Sequence, residues 1–256
     1  MPAAEELRTV TATRYVTPLR EGGSLPGLLE ADDDGLYVVK FTGAGQGTRA
    51  LLAEVIVGEL ARAIGLPVPE QVIVEVDPAL GAAEPDPEIQ ELLIASPGEN
   101  LGVDFLPGAG AYPPAGGWRV DPELAADIIW LDALTTNVDR TPRNPNLLIW
   151  HEKLWLIDHG AALYLQHGGL RPEEHAGRPF PQIAQHVLLA DAGSIGEADE
   201  RLAPRVDSEM LRDICALVPG GWYAGTPTEA YVEYLELRLR SPRGFVREAE
   251  DARAGA

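Results

Sequence analysis

Asn137-Val138-Asp139-Arg140-Thr141-Pro142-Arg143-Asn144, followed by Leu156-Ile157-Asp158-His159-Gly160, constrains the fold of this chain more than any other stretch. Between the two lie Leu147-Leu148-Ile149-Trp150 and Leu154-Trp155-Leu156-Ile157, short apolar runs of strand character, with polar His151-Glu152-Lys153 at the turn. Pro142 stiffens the first loop, and Asn144-Pro145-Asn146 turns the chain into the hairpin. A hairpin of this size returns Asp158 to the side of the sheet that carries Asn144. Two acids and an amide on neighbouring loop ends suit phosphoryl transfer, which needs hard oxygen ligands for Mg²⁺ and a carboxylate beside a hydroxyl. Asp and Asn are also ordinary turn residues. The hairpin and the Asp-x-Gly after it therefore carry the argument, rather than the Asp139–Asn144 spacing alone.

That spacing, D-x-x-x-x-N, is also found in the protein-kinase catalytic loop H-R-D-L-x-x-x-N, where Asp receives the substrate hydroxyl proton and Asn binds a metal. His159 stands where D-F-G has its aromatic, and reads as a packed, hydrogen-bonded histidine. Gly160 would let the backbone approach a nucleotide closely. Such a site also needs a lysine on a strand and a helix glutamate to orient it. Gly35-Leu36-Tyr37-Val38-Val39-Lys40-Phe41 is the strongest strand in the sequence. Lys40 in its middle is an unlikely place for an unpaired ammonium, and Lys153 is the only other lysine. Residues 49 to 64 place Leu51, Leu52, Val55, Ile56, Leu60 and Ile64 at helical spacing, and Gly65 closes that helix before Pro67. Glu54, beside the apolar stripe, is the expected partner of Lys40; Glu59 is expected to be solvated. Glu21-Gly22-Gly23-Ser24-Leu25-Pro26-Gly27 is a flexible turn whose N–H groups, at Gly22, Gly23 and Ser24, could lie over phosphates. Gly43-Ala44-Gly45-Gln46-Gly47 is either a plain connector or a second phosphate-facing loop.

The order Lys40, Glu54, Asp139, Asn144, Asp158 resembles the HipA-like kinases, a branch of the protein-kinase-like fold. The Asn-x-Asp-Arg-x-x-x-Asn form of the loop and the helix exit Gly65-Leu66-Pro67-Val68-Pro69 resemble that family more than eukaryotic kinases, and the resemblance runs over residues 15 to 164. It implies ATP and Mg²⁺ as cofactors, Asp139 as catalytic base, and Asn144 and Asp158 as metal ligands. It also implies that Lys40 contacts the α/β-phosphates with Glu54 as its partner. Ser24 is similar in place to the loop serine that such kinases can autophosphorylate, although its surroundings match poorly. No H-R-D, D-F-G or A-P-E triplet is present, and the chain resembles the compact, stand-alone members rather than the longer toxins.

The fold expected is α+β: a protein-kinase-like two-lobed domain over residues 1–256, with an antiparallel N-lobe sheet and one main helix at about 10–105. A mostly helical C-lobe follows at about 109–246, with a frayed tail at 247–256. The linker Gly102-Val103-Asp104-Phe105-Leu106-Pro107-Gly108 would let backbone groups near Phe105 meet adenine. Asp121-Pro122-Glu123 starts a helix well. Residues 180 to 189, 208 to 218 and 228 to 238 read as helices. Asp132 either bonds the catalytic loop or is an ordinary polar helix position. Forty acids against twenty bases give a formal net charge of −20, which argues against direct nucleic-acid binding. Against that field Lys40, Arg140, Arg143 and Mg²⁺ would have to hold the nucleotide. His175 and His186 are too isolated to suggest a metal site. The single Cys215, the lack of a signal peptide and the lack of an eighteen-residue apolar run point to a cytoplasmic protein away from the membrane. The acceptor is an unidentified protein Ser/Thr or a small molecule, and a small partner protein is conceivable. The alternative to a phosphotransferase is a silent kinase-like module acting by nucleotide or partner binding.

Overall fold

The computed structural model describes residues 6–19, 25–45 and 47–256. β1 (Thr9–Pro18), β2 (Gly27–Ala31) and β3 (Leu36–Lys40) pair antiparallel in succession. α1 (Thr48–Ala63) follows, then β4 (Gln71–Val76), α2 (Pro87–Ile94) and β5 (Gly98–Asp104). The strands form a closed barrel in the order β1-β2-β3-β5-β4. The sheet is not purely antiparallel as expected: β1 runs parallel to β4, with Thr9 opposite Ile73. Closure removes both sheet edges and completes the wall around an interior of Val10, Leu29, Val39, Phe41, Val72 and Val74, against which Ile89 and Leu93 of α2 pack.

Beyond the connecting Leu106 and Pro107 come β6 (Gly110–Ala111), α3 (Pro122–Thr135) and the hairpin of β7 (Leu147–Trp150) and β8 (Lys153–Leu156). The rest is helical: α4 (Pro172–His175), α5 (Ile195–Leu202), α6 (Ser208–Ala216), α7 (Thr228–Leu239) and α8 (Gly244–Ala254). α3 starts at the expected cap, the Asp121 carboxylate accepting the N–H groups of Glu123 and Leu124. Both α1 and α3 are apolar on nearly every side, which is the pattern of a helix enclosed all round. Residues 50–61 of α1 are all buried. Its Leu52, Val55, Ile56 and Leu60 share one core with Ile128 and Leu131 of α3, rather than with the barrel interior. α1 is therefore the element that joins the two halves.

Two further expectations fail here. Residues 180 to 189 form only a 3-10 turn, Pro181–Gln185. The chain then leaves the helix because its next donors are used elsewhere, Val187 N–H bonding Arg140 O at 3.0 Å. The tail expected to fray from 247 is instead most of α8. Phe245 packs edge-on to Trp130 with ring centroids 6.0 Å apart, and Ala249 is buried. Glu248 accepts Phe180 N–H at 2.6 Å, and Glu250 accepts Ile195 N–H at 2.7 Å. The charges that made this segment look solvated supply acceptors to orphan backbone amides.

Candidate active site

Lys40 ends β3, and its ammonium reaches two carboxylates from separate elements. Nζ lies 2.8 Å from Glu54 Oε2 on α1 and 2.7 Å from Asp158 Oδ1 after β8. Glu54 is turned inward because α1 has no solvent face at that point, its side chain being 2% exposed. Gln71 of β4 fixes the helix, its Nε2–H donating to Glu54 O at 2.9 Å. That approach needs Gly58, where a Cβ would lie 2.5 Å from Gln71 Nε2. Burial works against a charged Lys40, but the two carboxylates outweigh it and hold its pKa above the ordinary value. Asp158 is also penalised by burial, yet Lys40 brings its pKa below the carboxylate norm. Glu54, the more enclosed acid, is raised by burial despite Lys40.

Asp139 and Asn144 face each other across the loop that joins α3 to β7. Asn144 Nδ2 donates to Asp139 Oδ2 at 2.6 Å, and Asn146 Nδ2 lies 3.4 Å from the same oxygen and 3.5 Å from Asp158 O. Asn146 thus stands between the two acids, a position sequence reading missed although Asn-Pro-Asn marked the turn. Its φ of 50° and the 55° of Asp158 are left-handed values that Asn and Asp tolerate better than other side chains. Asp139 N–H reaches Asn137 Oδ1 at 3.2 Å, and Asn137 Nδ2 donates to Asp132 Oδ1 at 3.0 Å.

Beneath the loop is a buried polar cluster. Arg140 Nε donates to Asp132 Oδ2 at 2.6 Å, both side chains being 0% exposed. Its other nitrogens reach the carbonyl of Asn146 and, at 3.3 Å, His159 Nδ1. His186 Nε2 lies 2.9 Å from Asp132 Oδ2, and its Nδ1 accepts Leu188 N–H at 3.1 Å. The proton of neutral His186 is therefore on Nε2. Burial opposes the charge on Asp132, but Arg140 and His186 override it and keep the carboxyl's pKa far below normal. Burial pushes His186 down. Burial and then Arg140 push His159 to about 3.

This corrects the reading of Arg140 as a cation for the nucleotide: it is enclosed and committed to Asp132. Asp132 is no ordinary helix position. Sequence reading left Asp132 open between bonding the loop and an ordinary helix position, and missed His186, because neither local pattern names its partners. Glu59 is buried rather than solvated; its carboxylate lies 3.2 Å from Arg62 Nε, and burial raises its pKa. Gly160 abuts α1 rather than open space, since a Cβ there would lie 3.3 Å from Glu54 Oε2. Phe105 N–H is used by Leu36 O at 2.9 Å, so only its carbonyl remains for a base. Ala44 and Gly47 line a small cavity of about 10 Å³ with Lys40, Glu54 and Asp158. Gly22, Gly23 and Ser24 lie outside the described residues. Among the described residues no three His, Cys, Asp or Glu side chains group as a metal site.

A model of the HipA-like kinase family matches residues 13–240. Among solved structures, the chain is similar to a Helicobacter pylori proinflammatory kinase, CtkA. The TM-score is 0.60 at 15% identity, over 96% of this chain and 98% of that one. It is also similar to the Golgi casein kinase, with a TM-score of 0.53 at 12% identity over 97% and 74% of the two chains. A structure of that kinase with Mn and ADP bound gives 0.50 at 12% identity, over the same shares. No curated protein sequence matches the chain.

Proposed function

Because the chain belongs to the HipA-like kinase family and is a kinase, we propose that it moves the γ-phosphoryl of ATP to a Ser or Thr hydroxyl of a protein, with Mg²⁺. The observation that carries this reading is the convergence of Glu54 and Asp158 on Lys40 at 2.8 and 2.7 Å. An ammonium has three donors, so one N–H of Lys40 is left for a phosphate oxygen. The charge on Lys40 is secured by the two acids, and Asp158 is held ionised in return.

The donor set suits Mg²⁺, which favours hard oxygens and retains waters rather than a full protein cage. Asp158 Oδ2 and Asn144 Oδ1 make no hydrogen bond among the described residues and would be the protein ligands. Bound Mg²⁺ would neutralise charge on the phosphates during transfer. The Golgi casein kinase structure with Mn and ADP supports a nucleotide and a divalent ion on this fold. Asn144 and Asn146 hold Asp139 by one oxygen, Oδ2, which leaves Oδ1 to orient the acceptor hydroxyl and take its proton. Catalysis then comes mainly from placement and charge neutralisation. One buried cysteine, Cys215, with its thiol pushed up to about 12 by burial, fits a reducing, cytoplasmic setting.

Calorimetry of ATP binding with and without Mg²⁺ tests the site. The parent should bind ATP more tightly with Mg²⁺, and Asp158→Asn should lose at least about tenfold in affinity, the effect of roughly 1.4 kcal/mol. Equal, Mg²⁺-independent binding by both would overturn the assignment.

A further inference from the structure

A groove of about 690 Å³ opens beside the catalytic loop. One wall is Thr141, Pro142 and Arg143; the other carries Ala184, Val187 and Leu189. The second wall is latched to the first at two points, Val187 N–H on Arg140 O at 3.0 Å and His186 Nε2–H on Asp132 Oδ2 at 2.9 Å. Both latches end on residues that also position Asp139. The groove is therefore in fixed register with the proposed base. Its lining holds residues 141–143, which lie between Asp139 and Asn144 in the loop, and none of Lys40, Glu54 and Asp158.

Pro142 on one wall and Ala184, Val187, Leu189 and Ala190 on the other give an open, partly apolar trough that suits an extended backbone. Besides the polar Gln185, the buried His186 and, at Ala256, the last residue of the sequence, the groove is lined by one charged side chain, Arg143. It is exposed and makes no ion pair or hydrogen bond among the described residues. An uncommitted guanidinium stands out in a chain with forty acids and twenty bases, and its planar fork matches a carboxylate. From this position Arg143 can meet an acceptor, whereas the sequence reading had it facing the nucleotide.

We propose that this groove receives the acceptor protein as an extended segment in which an Asp or Glu flanking the reactive hydroxyl pairs with Arg143. This rests on the transfer reading above. The test is phosphorylation of a degenerate serine-peptide library by the full chain with ATP and Mg²⁺, beside Arg143→Lys and Arg143→Glu, with ATP turnover of the parent recorded in parallel. The parent should favour Asp or Glu at one flanking position by about two- to fivefold, the size of an exposed ion pair. Arg143→Lys, which keeps the charge but loses the fork, should weaken that preference without reversing it, and Arg143→Glu should turn it toward Lys or Arg at the same position. No acidic preference in the parent, or one unchanged in Arg143→Glu, overturns the proposal. ATP turnover by the parent with no peptide labelled rejects the groove while leaving the kinase reading intact; no turnover at all rejects both.

Discussion

Asp132 accepts hydrogen bonds from Asn137, Arg140 and His186 on its two carboxylate oxygens. Breaking a buried pair of this kind by removing one partner costs about 3–5 kcal/mol, because the other charge is left unpaired. The cluster's value to function is geometric: it ties α3, the catalytic loop, the turn at His159 and the segment at His186 into one unit. It also makes stability depend on pH. The folded pKa of His186 is depressed, so as pH falls through the ordinary imidazole value of about 6.5 the unfolded chain takes up a proton that the folded chain does not. Stability from this group is present above that value and is lost on acidification. The unfolding free energy of the parent should therefore fall between pH 7 and 5, and His186→Gln should reduce the fall by roughly 1 kcal/mol. His159, depressed to about 3, should sustain the remainder. Identical slopes for parent and variant in urea titrations at the two pH values would contradict this. Little of the cluster was legible beforehand. Asp139, Asn144 and Asp158 stand out by loop chemistry and spacing, and Asp132 could be offered as a partner of the loop, whereas His186 acquires meaning only when packing brings distant segments together.

At the scale of elements, α1 matters most. Its apolar spacing and its Gly65 exit were readable in sequence, and Glu54 could be placed beside the stripe. Its enclosure on every side could not be read as a contact with the helical half, since an all-apolar helix does not name its neighbours. Gly58 is the sensitive point. Alanine there would gain about 1 kcal/mol in helix propensity, but its Cβ would fall 2.5 Å from the Gln71 amide that bonds Glu54 O. Gln71 is itself buried, so it cannot yield without losing that bond, and overpacking of this kind costs about 1–3 kcal/mol. The net expectation for Gly58→Ala is lower stability and a displaced Glu54, read as a lower urea midpoint and weaker ATP binding. A more stable variant with unchanged binding would show that the contact relaxes freely. The α8 segment misled for the opposite reason: its Glu248 and Glu250 look like solvent-facing charges, but they accept backbone N–H groups of other segments.

For the whole molecule, the barrel and the helical half meet where Lys40, Glu54 and Asp158 meet, with α1 contributing to both. The β3 strand and the hairpin were legible because each is local; β5 was not, and its end at 102–104 was read as part of the linker although it pairs with both β3 and β4. The parallel β1–β4 closure was not, because it joins the start of the chain to a strand beyond α1. Among the described residues no helix is long and apolar enough to cross a membrane. A net charge of −20 sets a repulsive background for a polyanionic nucleotide, so under the proposed function Lys40 and a divalent ion would supply the local attraction. The central claim is that this arrangement transfers a phosphoryl group with Asp139 as base. The measurement that tests it most directly is label transfer from γ-³²P-ATP with Mg²⁺, with and without cell extract, by the parent and by Asp139→Ala. The account predicts label on the protein or on an extract component with the parent, and a loss of about 100-fold or more with Asp139→Ala, while ATP still binds to the variant. Equal labelling by the two proteins would contradict it.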